Sequence, residues 1–269
     1  MKLTGSEIII KVLKMHGIDL VAGIPGGYIL PFYDYLARSG IKHVLVRQEQ
    51  AAGFVAQGIA RTTGKPAVCL VTSGPGVTNT LTGIADAMMD STPLVVIAGQ
   101  VAIGALGTDA FQEVDLVGVS QPISKWSYQI RHADDVAWAV SRAFYIARTG
   151  RPGPVVLDFP RNAQVEEIDW EPKTVDFVRS YVPYPKLDVE AVRQAAELIN
   201  NARRPLALVG QGVELGNAQQ ELRTFLEKAD IPAGRTMLGL SALPSNHPLN
   251  VGMLGMHGNY AVNLKEQEC

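Results

Sequence analysis

Residues Pro66 to Gly99 read PAVCLVTSGPGVTNTLTGIADAMMDSTPLVVIAG, and this stretch decides the fold. Two nearly continuous apolar runs, 66–72 and 93–99, flank a glycine turn and a helical segment. Strands that are apolar throughout, rather than alternating, are strands buried on both faces. Strand, turn, helix and strand in that order predict a parallel sheet with helices packed on it. The pattern repeats on either side. DLVAGIPGG (19–27) and KHVLVR (42–47) read as strands, and ILPFYDYLARSG (29–40) and EQAAGFVAQGIARTTG (49–64) as helices closed by glycine. ADDVAWAVSRAFYIARTG (133–150) and GPVVLDFP (153–160) add a helix and a strand, and Thr4 or Ser6 caps a first helix that stops near Gly17. Residues 1–165 are therefore expected to form a doubly wound parallel-sheet α/β domain.

Residues 166–186 lose the period. They hold scattered charges and several prolines, which predicts a surface linker. A second α/β pattern follows over 187–269, with helices in VEAVRQAAELINNA and NAQQELRTFLEKAD and strands in RPLALVG and IPAGRTMLG. Two strands leave an uncovered edge and a thin core, so this part reads as an incomplete Rossmann-like domain.

Composition narrows the function classes. The chain has 269 residues, 47% hydrophobic and 19% charged, with a formal net charge of -2. That is a core-forming composition, and it gives no footing for nucleic acid. The two cysteines, Cys69 and Cys269, point to a reducing cytoplasm rather than a disulfide framework. The apolar residues of the N-terminus are broken by Lys11 and Lys14 at helical spacing, which argues against a signal peptide, and no apolar run is long enough to span a bilayer. The five histidines show no metal-ligand spacing, so no metal ligands are assigned.

Three glycine turns follow strands: IPGG (24–27), SGPGVTN (73–79) and GQGVELG (210–216). Such turns let a ligand approach the backbone, and a helix N-terminus offers free N–H groups to an anion. They serve equally as plain strand-to-helix connections, and the last spacing in GQGVELG is one residue too long for the dinucleotide fingerprint. The loop GTDAFQEVD (107–115) leaves a strand at the end of the sheet where such folds bind ligands. Within LVRQEQAAGF (45–54), Glu49 places a carboxylate where an apolar strand gives way to a helix.

Taken together, GIPGGYILPFYDYL, VRQEQAAGFVAQGIARTTGKPAVCLVTSGPGVTN, GQV, GTDAFQE, SKW and GRPGPVVLDFP, with TMLGL and GMLGMHG after them, resemble the thiamine-diphosphate enzymes of the acetolactate synthase family. The resemblance spans nearly the whole chain. It implies a pyrimidine-binding domain over 1–165 and the front of an FAD-binding central domain over 187–269. A third domain, which would hold the diphosphate through Mg²⁺, is not among these residues. Glu49 would be the catalytic glutamate, hydrogen-bonded to the pyrimidine ring nitrogen so that the cofactor's own amino group can take the thiazolium proton. Gln48 stands where the family commonly has His. Pro25, Gly26, Thr72, Pro75 and Asn79 would line the pyrimidine pocket. Gln112, with Phe111, would lie near the reacting carbon, and Lys125 at the substrate channel. Gly210, Gln211 and Gly212 would meet FAD, with Thr236, Met237, Leu238, Gly255, Met256 and His257 along its isoalloxazine and ribityl side.

The implied reaction is the decarboxylative condensation of two 2-keto acids, pyruvate giving 2-acetolactate, in branched-chain amino-acid biosynthesis. The implied partners are a second copy of the chain or a chain bearing the diphosphate domain, and a regulatory small subunit. By this reading the 269 residues are inactive alone. The alternatives are another thiamine-diphosphate lyase or decarboxylase of 2-keto acids, and a non-catalytic fragment.

Overall fold

The chain enters through a short strand, β1 (Lys2–Thr4), and a helix, α1 (Gly5–Met15). Thr4 and Glu7 close a capping box: the Thr4 hydroxyl accepts from the Glu7 N–H, and the Glu7 carboxylate accepts from the Thr4 N–H at 2.9 Å. The computed structural model describes residues 1–269 as two compact units, Met1–Pro185 and Lys186–Cys269.

The first unit is built on six parallel strands. These are β2 (Leu20–Gly23), β3 (Lys42–Leu45), β4 (Ala67–Val71), β5 (Leu94–Gln100), β6 (Trp126–Gln129) and β7 (Pro154–Pro160). Their order in the sheet is β3-β2-β4-β5-β7-β6. Every residue of β4, β5 and β7 is buried, as the unbroken apolar runs require. Helices α2 (Leu30–Ser39), α3 (Glu49–Thr63), α4 (Pro75–Met89), α5 (Leu116–Ser120), α6 (Ala133–Arg148) and α7 (Arg161–Val165) complete the layers. One core joins the sheet to α1, α2 and α6 through Ile8, Ile9, Leu13, Phe32, Val140 and Phe144. The opposite core joins it to α3, α4 and α5 through Ala52, Ala56, Val77, Ile84 and Leu116. Gly53 of α3 faces Gly83 of α4, and a Cβ on Gly53 would lie 3.5 Å from the Gly83 Cα, so glycine on both sides lets these helices pack closely.

From β2 the chain moves outward to β3, then returns to place β4 on the other side of β2. The gap between β2 and β4 is therefore the switch point of the sheet. At that point the connections leave in opposite directions and open a crevice at the carboxyl ends.

The stretch expected to be a linker belongs to the first unit. Strand β8 (Glu167–Asp169) pairs antiparallel with β1, Val178 is buried in the α1/α2/α6 core, and Tyr181 packs against it. The first unit runs to Pro185 rather than 165, and the second begins at Lys186, one residue before the expected 187. Prolines and charges gave this segment no period, yet its few apolar side chains are enough to fasten it.

The second unit holds three parallel strands, β9 (Ala207–Val209), β10 (Ala233–Arg235) and β11 (Asn250–Met253), in the order β11-β10-β9. With them are α8 (Val189–Asn201), α9 (Gly212–Leu215), α10 (Gln219–Ala229) and α11 (Tyr260–Glu268). The buried core is small: Val209, Leu226, Ile231, Ala233, Ala242 and Leu243. Helix α8 buries none of its residues. No helix of the chain is long and apolar enough to cross a membrane.

Candidate functional site

The switch point gathers most of the residues singled out in the first unit. Pro25 and Gly26 leave β2, and Thr72 and Pro75 leave β4. The two turns touch: a Cβ on Gly26 would lie 2.6 Å from the Thr72 side chain, so only glycine fits. The Thr72 hydroxyl accepts from the Tyr28 N–H at 3.4 Å, tying one turn to the other.

Glu49 is the first residue of α3, which follows β3. Gln48 is the N-cap, its side-chain oxygen accepting from the Ala51 N–H at 3.1 Å. The capping role satisfies an otherwise open N–H, and the carboxylate behind it sits where the helix dipole favours negative charge. Asn79, one turn into α4, donates to Glu49 Oε2 at 2.9 Å. Two helices that start at the carboxyl edge thus fix one carboxylate between them. Glu49 is half-buried.

Gln112 closes this edge from above. Its backbone has φ 60°, and it lies against Gly74, where φ is 56° and a Cβ would lie 2.7 Å from the Gln112 carbonyl oxygen. Two left-handed residues back to back leave no room for a side chain at 74. Glu113 braces the same loop by accepting from the Ala110 N–H at 3.2 Å and from the Gly107 N–H. Phe111 beside it is 76% exposed, an unusual place for a large aromatic ring.

Lys125 is not brought to this site. It precedes β6 and donates its backbone N–H to Pro154, the first residue of β7, which puts it at the amino edge of the sheet. Its ammonium donates to the carbonyls of Ile146 and Thr149, the latter at 2.7 Å, and to the Tyr181 hydroxyl at 3.1 Å. Burial lowers its pKa, and the Tyr181 hydrogen bond opposes the shift. Lys125 fastens the 170–185 segment at the end of the sheet opposite Glu49.

Several polar groups at the carboxyl edge had escaped notice. Asp158 of β7 is 1% exposed and accepts from the Gln129 side chain at 2.8 Å. Gln100 of β5 is fully buried and donates to the Val114 carbonyl at 2.8 Å. The Ser73 hydroxyl is buried in the SGPG turn without a hydrogen-bond partner. The available signal was a polar residue inside an apolar run: Asp in GPVVLDFP and Gln after PLVVIAG.

In the second unit the candidates again share one edge. Gly210, Gln211 and Gly212 follow β9, Thr236, Met237 and Leu238 follow β10, and Gly255, Met256 and His257 follow β11. Gly239 is wedged under Gly210, where a Cβ would lie 2.4 Å from the Val209 carbonyl oxygen. Met237 and Met256 are largely exposed, so an apolar rim stands at the carboxyl ends of the strands.

Residues 3–119 match the family described as thiamine pyrophosphate enzyme, N-terminal TPP binding domain, and residues 192–269 match its central domain. The chain is 49% identical to the acetolactate synthase isozyme 1 large subunit of Escherichia coli (strain K12), over 100% of this chain and 47% of that protein. It is 45% identical to the acetolactate synthase large subunit of Corynebacterium glutamicum, over 96% of this chain and 41% of that protein. It is 44% identical to a probable acetolactate synthase large subunit of Methanocaldococcus jannaschii, over 98% of this chain and 45% of that protein. The chain spans about half the length of the curated relatives it matches.

Proposed function

Because the chain belongs to the thiamine pyrophosphate enzymes, we propose that it supplies the pyrimidine side of an acetolactate synthase active site. The observation that carries this reading is the Glu49–Asn79 pair at the switch-point crevice. A carboxylate fixed by a side-chain amide, at the same carboxyl edge where the Gly26 turn rests on Thr72, fits a flat ring that presents a nitrogen to an acid.

Pro25, Gly26, Thr72, Pro75 and Asn79 would hold the aminopyrimidine. Glu49 holds the proton at the ring nitrogen, Asn79 fixes the orientation of its carboxylate, and Gln112 with Phe111 covers the reacting side and excludes water. Thiamine diphosphate, when bound, supplies the carbon nucleophile and the electron sink that a 2-keto acid needs to lose CO₂. The substrates in this reading are two 2-keto acids, with pyruvate converted to 2-acetolactate in branched-chain amino-acid biosynthesis in the cytoplasm. Mg²⁺ and the diphosphate would be held by a further domain that is not among these 269 residues. FAD would lie on the carboxyl edge of the second unit, against Gly210–Gly212, Thr236–Leu238 and Gly255–His257. The "large subunit" in the relatives' names supports a regulatory small-subunit partner.

Calorimetric titration of the 269-residue chain with thiamine diphosphate tests the pyrimidine site, and Glu49→Gln is expected to weaken binding. Pyruvate consumption with thiamine diphosphate, Mg²⁺ and FAD is expected only when a polypeptide carrying the diphosphate domain is added. Robust turnover by the 269 residues alone would overturn this division of the site.

A further inference from the structure

The turn that carries Pro25 and Gly26 is tied to α7 by one buried side chain. Helix α7 follows β7 directly and is anchored to α1: the Gly5 N–H donates to the Glu166 carbonyl at 3.1 Å, and the Ser6 hydroxyl to the Gln164 carbonyl at 3.0 Å. Gln164 is fully buried. Its side-chain nitrogen donates to the Tyr28 carbonyl at 2.6 Å and to the Phe159 carbonyl at 2.7 Å. Both amide protons are thus used, while the amide oxygen is buried without a hydrogen-bond partner. Rotated by half a turn, the amide would aim that oxygen at two carbonyl oxygens. A buried amide that leaves its own oxygen unpaired is costly, so the donor end is the part the fold uses.

The Tyr28 peptide is where the turn is gripped. Pro25 and Gly26 lead into a single 3-10 turn, Gly27–Ile29, closed by the Ile29 N–H donating to the Gly26 carbonyl at 3.0 Å. Within it, the Tyr28 N–H donates to the Thr72 hydroxyl at 3.4 Å, and the Tyr28 carbonyl accepts from Gln164. Gly99 of β5 lies against the same carbonyl, where a Cβ would be 2.4 Å from the oxygen. The bond to Thr72 is long, so the short bond from Gln164 is the stronger of the two. We propose that Gln164 is a positioning residue for the pyrimidine pocket: it holds the Tyr28 carbonyl against β5 and thereby sets where Pro25 and Gly26 stand relative to Thr72. The proposal rests on the reading of that turn as pyrimidine-binding.

Gln164→Met keeps the length of the side chain and removes both donors. Hydrogen–deuterium exchange of the 269-residue chain should then rise by about tenfold over residues 24–30, the worth of the lost hydrogen bonds, and stay at wild type in β4. The calorimetric affinity for thiamine diphosphate, measured well below the melting temperature, should fall by about tenfold. Ser6→Ala is the control. It removes a buried hydrogen bond from the same helix without touching the turn, and should lower the melting temperature while leaving exchange over 24–30 and the affinity at wild type. Wild-type exchange over 24–30 in Gln164→Met would overturn the proposal, as would an equal rise in Ser6→Ala, which would mean only a loosened α7. Raised exchange with unchanged affinity would also overturn it, leaving Gln164 a fastener alone. Should Gln164→Met not fold, Gln164→Asn, whose amide is drawn back by one methylene, decides it on the same terms. If the wild-type chain does not bind thiamine diphosphate, the pyrimidine assignment falls, while the hold of Gln164 on the turn is still judged by exchange.

Discussion

At the scale of single residues, two buried or half-buried carboxyls at one sheet edge are set up for different work. Glu49 stands in the first turn of α3, where its charge is favoured and Asn79 fixes its direction. Glu49→Gln keeps the shape and removes the proton carrier. In enzyme assembled with the diphosphate domain, its rate of pyruvate consumption should fall by roughly 10²–10⁴. Unfolding free energy from urea melts should change by no more than about 1 kcal/mol, the worth of an acid at a helix start. Asp158 is tuned the other way: burial, with the nearby Asp115, pushes its pKa from 3.8 up to about 7 against the Gln129 hydrogen bond that pulls it down. The folded chain therefore binds this proton more tightly than the unfolded chain. The stability it brings is full below pH 3.8 and is lost as the pH rises through about 7. Asp158→Asn should be more stable than wild type at pH 8, with a smaller stability difference between pH 5 and pH 8, each pKa unit being worth about 1.4 kcal/mol. Urea melts at the two pH values measure this, and parallel wild-type and variant curves would show that Asp158 titrates normally.

At the scale of elements, Lys125 shows where sequence reading stops. A five-residue strand such as AVCLV announces itself by unbroken apolarity, and β4, β5 and β7 were legible for that reason. β6 reads WSYQ and β11 reads NVGM, too polar or too short to stand out, and both were missed. The turns IPGG and SGPGVTN were legible as strand-to-helix junctions whose place in the sheet follows from the βαβ order, while the choice of Pro25, Gly26, Thr72, Pro75 and Asn79 within and after them came from the family resemblance. Lys125 was not legible, since a motif such as SKW gives a position in the chain and not the end of the strand it occupies. Its bonds to Ile146, Thr149 and Tyr181 make it a fastener for the 170–185 segment. Lys125→Met should accordingly cost roughly 1–3 kcal/mol of stability by leaving buried carbonyls short of a donor. The KM for pyruvate in the assembled enzyme should not move. A raised KM at unchanged stability would return Lys125 to the substrate channel.

At the scale of the whole molecule, the two units differ in how much of their own stability they can generate. The first has a sheet whose strands β4, β5 and β7 are buried throughout, with a core on each face. The second has three short strands, a core of six buried residues and a helix, α8, with Val192 and Leu198 exposed. A unit with so little burial opens more readily, and ligand binding is then a large share of its stability. The apolar rim of Met237 and Met256, beside the glycine turn at 210–212, gives a flat ring system both a face to cover and backbone to approach. FAD at a hundred times its dissociation constant should stabilise this unit by about 2.7 kcal/mol. Hydrogen exchange read by segment separates the two cofactors. FAD should slow exchange over 207–215, 233–243 and 250–258 and leave 67–80 unchanged, whereas thiamine diphosphate should slow 72–80 and leave the second unit unchanged. Protection by FAD at 72–80 instead would move its site to the first unit, and protection at neither would remove FAD from this chain's chemistry.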